Sequence, residues 1–251
     1  MAEQHSPLEQ FEIKTLAPID IAGIDASFTN SALWMLIVVG AMSFFMIGGM
    51  RRAALVPGRW QTAVEMAYEF VAGMVRDNVG KDGKAYFPFI FTLFMFVLGA
   101  NIAGMIPYSF TVTSHIAVTL AMALVVFIGV TLLGIVKHGF GFLKLFVPSG
   151  VPVPLYIIIV PIEVISYFTR PVSLSVRLFA NMMAGHIMLK VFAGFVVSLG
   201  LAGGIIAPMA VLPFAFNIFL TALELLVAFL QAYVFAILSC IYLHDALHPA
   251  H

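Results

Sequence analysis

The stretch SVRLFANMMAGH (175–186) places Arg177, Asn181 and His186 in one of the most apolar regions of the chain. Further on, Asn217, Glu224 and Gln231 interrupt a second apolar run at intervals of seven residues. A guanidinium does not lose its proton in a protein. An imidazole, by contrast, changes charge near neutral pH and can trade a proton with a carboxylate. Ionisable groups in hydrocarbon cost at least about 2.5–3.5 kcal/mol each at mid-span, and they mark ion pathways. These residue types point to a proton relay beside a fixed cation.

Helical periodicity gives the spacing its meaning. At about 100° per residue, Glu163, Ser166, Arg170, Ser173 and Asn181 fall within about 40° of Arg177, a polar stripe about five turns long. His186 points to the opposite side. Asn217, Glu224 and Gln231 share one face of the second segment. An antiparallel hairpin folded through LGLAGG (199–204) keeps a nearly constant sum of paired residue numbers. Arg177 then stands level with Gln231, and His186 with Glu224, about two and a half turns away.

Blander roles exist for each residue. Arg177 can be a structural ion-pair partner and His186 a hydrogen-bonded core residue. Glu163 and Lys190 can snorkel to an interface, and no role is assigned to Lys190. Asn101 can bond a neighbouring helix. His244, Asp245 and His248 have metal-like spacing, but in a terminal tail they read as solvated polar residues. Cys240, the single cysteine, reads as a small core residue and excludes an internal disulfide.

The elements that must position these groups are membrane helices. Of 251 residues, 62% are hydrophobic and 10% charged, with a mean hydropathy of +1.08; a soluble domain carries about 25% charged residues. The zero net charge leaves no nucleic-acid footprint. Residues 1–26 form an acidic segment with Glu3, Glu9, Glu12, Asp20 and Asp25 against Lys14 alone. It lacks the basic and apolar regions of a signal peptide. Residues 27–251 read as a single helical membrane domain.

A first span runs from about Ser27 to Met50, with Ser27 or Thr29/Asn30 as its cap, and Arg51, Arg52 and Arg59 follow it. That basic cluster marks the cytoplasmic side and puts the acidic N-terminus opposite. Residues 58–80 repeat Trp60, Val64, Ala67/Tyr68, Val71 and Val75 at helical spacing, interrupted by Glu65, Glu69, Arg76 and Asp77. They read as an amphipathic surface helix, and KDGK (81–84) as a turn. A span over about 86–106 carries Asn101, narrows at Gly99, Ala103 and Gly104 for close packing, and stops at Pro107. The next covers about 115–136 and returns to Lys137, His138 and Lys144 on the cytoplasmic side.

From Pro152 to about Leu199, and from about Ile205 to Leu243, no water-facing loop is evident. The first segment is one long tilted helix or two spans broken near TRPVS (169–173), where Pro171 permits a kink. The fold class is thus all-α: one outer span, a surface helix, two further spans and a helical hairpin over about 152–248.

The runs RPVSLSVRLFANMMAGH and LELLVAFLQAYVFAILSCIYL closely resemble subunit a of the F-type ATP synthase membrane sector. The motif R-L-x-x-N-x-x-A-G-[EH] is highly specific, and the resemblance extends over essentially the whole chain. It implies a steeply tilted hairpin along a rotor ring of c subunits. Arg177 matches the family's essential arginine, Gln231 the glutamine near it, and Asn181 the asparagine one turn on. Asn101 matches an outer half-channel asparagine and Glu163 an acidic position near the inner one. One bacterial pattern has glutamate at position 186 and histidine at 224; His186 with Glu224 resembles the mitochondrial and alphaproteobacterial arrangement. On this resemblance His186, Glu224 and Asn101 serve an outer proton path, Glu163, Ser166 and Ser173 an inner one, and Asn217 is a further proton-path residue. The implied partners are the c ring, peripheral-stalk b subunits, the F1 sector indirectly, membrane lipid and protons, with no cofactor, metal or nucleic acid. The implied site is the bacterial inner membrane, with a periplasmic N-terminus and a cytoplasmic C-terminus.

The chain lacks the phosphate-binding motif G-x-x-x-x-G-K-[ST] and is not expected to make ATP itself. A self-contained transporter or channel is the rival reading, but such folds show paired repeats and none is evident. An intramembrane hydrolase needs a motif such as H-E-x-x-H, and Ser114 with His115 is far weaker.

Overall fold

The computed structural model describes residues 11–18, 20–21, 24–25, 27–51, 54–106, 109–147, 155–204 and 207–248. The expectations placed on Glu3, Glu9, Arg52, Pro107, Pro152 and Ile205 lie outside these residues, as do the side chains of Asp20, Asp25 and Lys144.

Four short strands precede the helices: β1 (Thr15–Ala17), β2 (Asp20–Ile21), β3 (Ile24–Asp25) and β4 (Phe28–Thr29). β1 pairs antiparallel with β4 and β2 with β3, a nested arrangement within the acidic segment. The helices are α1 (Asn30–Met50), α2 (Arg59–Val79), α3 (Phe87–Gly104), α4 (Ile116–His138), α5 (Tyr156–Ala202) and α6 (Val211–Leu247). Turns of 3-10 helix lie at Lys81–Tyr86, Val112–Ser114, Gly139–Phe146 and Ala207–Ala210. Among the described residues, five helices are long and apolar enough to cross a membrane, and α2 is not one of them. The expected all-helical membrane fold is therefore present, within a few residues at each boundary.

The hairpin's first arm is one helix. α5 runs 47 residues with Pro161 and Pro171 inside it, so the reading with a break near 169–173 gives way to the continuous one. Proline removes one backbone donor, but in lipid unwinding would orphan several more, which favours keeping the helix. At about 1.5 Å per residue α5 is about 70 Å long, against a hydrocarbon core of about 30 Å. An apolar helix of that length is accommodated by tilting. It ends at Gly203 and Gly204, whose φ values of 68° and 59° are left-handed.

The chain divides into two compact units. The first takes residues from Met1–Met42, Phe96–His115 and Leu178–Ala232, the second from Ser43–Met95, Ile116–Arg177 and Tyr233–His251. In the first, Thr29 caps α1 by accepting from the Ala32 N–H at 3.3 Å. Gly99 lets α3 approach α1: a Cβ there would lie 2.8 Å from Met42 Cε and 3.1 Å from Val38 Cγ1. Beyond α3, Ser109 donates to the Ala103 carbonyl at 2.6 Å and Thr111 to that of Gly104 at 3.3 Å. Those hydroxyls satisfy carbonyls that the end of a helix leaves open.

In the second unit, α2 buries Gln61, Val64, Val71, Met74, Val75 and Val79. Three of the residues expected on that face, Val64, Val71 and Val75, are in it. Trp60 and Tyr68 are 46% and 51% exposed and flank it. Trp60 donates its indole N–H to the Phe45 carbonyl at 3.0 Å. It lies against Gly48 and Gly49, whose missing side chains let α2 meet the end of α1. Arg170 pairs with Asp245 at 3.0 Å, with its guanidinium 5.4 Å from the Tyr167 ring centre and 5.1 Å from that of Tyr242. Tyr167 in turn shares a 2.6 Å hydrogen bond with Thr131.

Candidate functional site

Leu178, Met182 and Gly185 form the seam of α5 in the first unit, and Leu178 and Met182 are fully buried. On the helix wheel this seam lies about 100° from the Arg177 direction. Asn181 and His186 flank it on opposite sides, so both reach the face of α6 that carries Glu224, Ala228 and Gln231. That geometry explains how residues about 140° apart on one helix can meet residues about 20° apart on the other.

His186 Nδ1 lies 2.5 Å from Glu224 Oε1. Both residues are buried, at 6% and 5% exposure. The expected pairing is present. The contact has the distance of an ion pair but not the angles of a hydrogen bond, and both Glu224 oxygens and His186 Nε2 lack a hydrogen-bond partner. Asn181 Nδ2 donates to Gln231 Oε1 at 2.9 Å. Asn101, fully buried, donates to the Ala228 carbonyl at 3.1 Å and leaves its own Oδ1 unpaired. Buried and unpartnered as well are Thr113 Oγ1, Asn217 Oδ1 and Gln231 Nε2. Such atoms are costly unless water reaches them, and here they gather in one unit. Phe11 lies beside the His186 ring in an offset stack, with centroids 6.4 Å apart and planes 18° from parallel.

His115, just before α4, stacks on Phe110 at 4.9 Å. Burial lowers its pKa from the ordinary 6.5, because a charged imidazolium there would lose hydration.

In the second unit, Glu163 is half-buried, while Ser166, Ser173 and Arg177 are exposed along one side of α5. They keep the predicted stripe but stand away from the seam. Asp245 is occupied by Arg170, and His248 contacts Asp82 at 3.2 Å. Cys240 is buried.

Two residues, Gly185 and Phe11, and one pairing, Arg170 with Asp245, escaped the sequence reading. A Cβ on Gly185 would lie 2.9 Å from Glu224 Oε1, so this glycine makes room for the carboxylate. The A-G-H order was visible, but its reason was not. Phe11 and the Arg170–Asp245 pair depend on contacts between distant parts of the chain, which no local period announces.

A family model described as ATP synthase A chain matches residues 32–244. The chain is 61% identical over 245 residues to ATP synthase subunit a of Parvibaculum lavamentivorans, covering 98% of this chain and 94% of that protein. It is 58% identical over 250 residues to that of Mesorhizobium japonicum, covering 100% and 99%. With that of Rhodospirillum rubrum the identity is 57% over 244 residues, covering 97% and 99%.

Proposed function

The chain belongs to the ATP synthase A chain family, and on that premise we propose how its residues carry protons past a rotor. It is an integral membrane subunit of a bacterial F-type ATP synthase, non-catalytic and proton-conducting, the stator part of the membrane sector. Residues 27–251 act as one membrane domain. Its neighbours are the c ring and the peripheral-stalk b subunits, with the F1 sector coupled through them. The N-terminus faces the periplasm and the C-terminus the cytoplasm, in keeping with Arg51, Arg59 and Lys137 beside the same ends of spans.

A rotor carboxylate must lose and regain a proton as it turns. One continuous water path across the membrane would leak protons and yield no torque. Two offset half-paths make each proton ride the ring. The outer path runs by Asn101, Asn217, His186 and Glu224, and its support is the set of buried polar atoms without a hydrogen-bond partner, which water can satisfy. The inner path runs by Glu163, Ser166 and Ser173.

Arg177 separates the two. Its permanent cation favours the charged form of a carboxylate facing it, which expels that proton, and it repels hydronium between the paths. Gln231 and Asn181, bonded to each other, offer polar groups without adding charge. The driving force is about 2.3 kcal/mol per elementary charge per 100 mV.

The observation that carries this reading is an exposed guanidinium on an apolar helix that must lie in lipid. A partner carrying an acid makes that placement affordable. Replacing Arg177 by Ala should abolish ATP-driven proton pumping in inverted vesicles while the complex still assembles. Normal pumping by that variant would sink the proposal.

A further inference from the structure

The stack of Phe11 on His186 is unexplained by the proton path as drawn above. Phe11 is held by a compact clamp. The Asn30 side chain donates to the Glu12 carbonyl at 3.1 Å and accepts from the Lys14 N–H at 3.2 Å. The Asn30 N–H donates to the Lys14 carbonyl at 3.0 Å. Pairing of Thr15 with Thr29 and of Ala17 with Phe28 continues the same fastening. One residue at the head of α1 thus fixes the backbone on the C-terminal side of Phe11, and the Phe11 ring stacks beside that of His186.

We propose that Phe11 is a positioning residue for the His186 ring, held in place by Asn30, so that the N-terminal segment forms a wall of the outer relay. The proposal rests on the reading of His186 and Glu224 as that relay. An imidazole passing a proton must present one nitrogen to the carboxylate and aim the other at the incoming donor. The Glu224 contact has no hydrogen-bond angles, so it restrains rotation of the ring about Cβ–Cγ only weakly. An aromatic face laid nearly parallel to the imidazole removes that freedom, and the Nε2 direction is then set. A wall of backbone alone would exclude water but would not orient the ring.

The test uses the whole ATP synthase in inverted vesicles, with ATP-driven acidification followed by a pH-sensitive dye. Phe11→Leu keeps apolar volume but loses the aromatic face, and pumping should fall about two- to tenfold. Phe11→Tyr keeps the face and should restore the rate. Asn30→Ala, which removes the two side-chain hydrogen bonds to the Phe11 segment together with the one from the Ser31 N–H and leaves Phe11 and His186 unchanged, should reproduce the Phe11→Leu loss. Equal rates for Phe11→Leu and the unchanged protein, or equal damage from Leu and Tyr, would overturn the proposal. Failure of the underlying reading looks different: His186→Ala would then pump normally. If His186→Ala is inactive while all Phe11 and Asn30 variants are normal, only the positioning role is lost.

Discussion

Glu224 stands against His186 because residue 185 has no side chain. An added methyl would come 2.9 Å from Glu224 Oε1 and 3.2 Å from its Cδ, so the carboxylate must move. Gly185→Ala should leave the complex assembled and lower ATP-driven pumping by about tenfold or more, since small misplacements of reacting groups are expensive. Unchanged pumping would mean that the carboxylate position does not matter. The pair itself is testable by a double-mutant cycle on transport with His186→Ala and Glu224→Ala. Coupling of about 1–3 kcal/mol is expected for groups that act together, and additive losses would separate them. The reciprocal exchange, His186→Glu with Glu224→His, should pump better than either change alone.

Among the helices, the demanding feature is the return from α5 to α6. Gly203 has open space around its missing Cβ, so any cost of a side chain there comes from its φ of 68°. Gly203→Ala should destabilise the chain by about 1–2 kcal/mol, the usual penalty for a left-handed L-residue. Gly73, inside α2, also has open space but ordinary helical backbone. There Gly→Ala should stabilise by about 0.5–1 kcal/mol. Thermal unfolding of the purified chain in detergent compares the two, and shifts in the same direction would contradict the conformational argument. Prolines 161 and 171 teach the converse lesson: local rules would end a helix in water at each, yet α5 passes through both.

For the molecule as a whole, burial of His115 ties stability to acidity. Its folded pKa is lowered from 6.5, so the native chain binds fewer protons than the unfolded one below that pH. The folded advantage is intact above about 6.5 and shrinks as the pH falls toward the lowered folded value. His115→Gln should flatten that part of the profile in thermal unfolding between about pH 7.5 and 5. An unchanged acid slope would assign the sensitivity to other groups. Function, in contrast, needs the assembly: reconstituted without a c ring, the chain should not conduct protons.

The sequence by itself determined the spans, the surface helix and the level of His186 with Glu224. Apolar length, the 3.6-residue period and the cost of charge in hydrocarbon are local quantities, and a hairpin turns them into a register. It also supplied the polar stripe through Arg177. What only the tertiary structure decided is rotation and contact: which side of α5 becomes the seam, why Gly185 must be bare, that Phe11 reaches His186, and that Arg170 spends its charge on Asp245. These depend on how helices distant in sequence cross and approach, and on side chains long enough to reach beyond their own turn. Periodicity fixes the faces of each helix but leaves open which faces will meet.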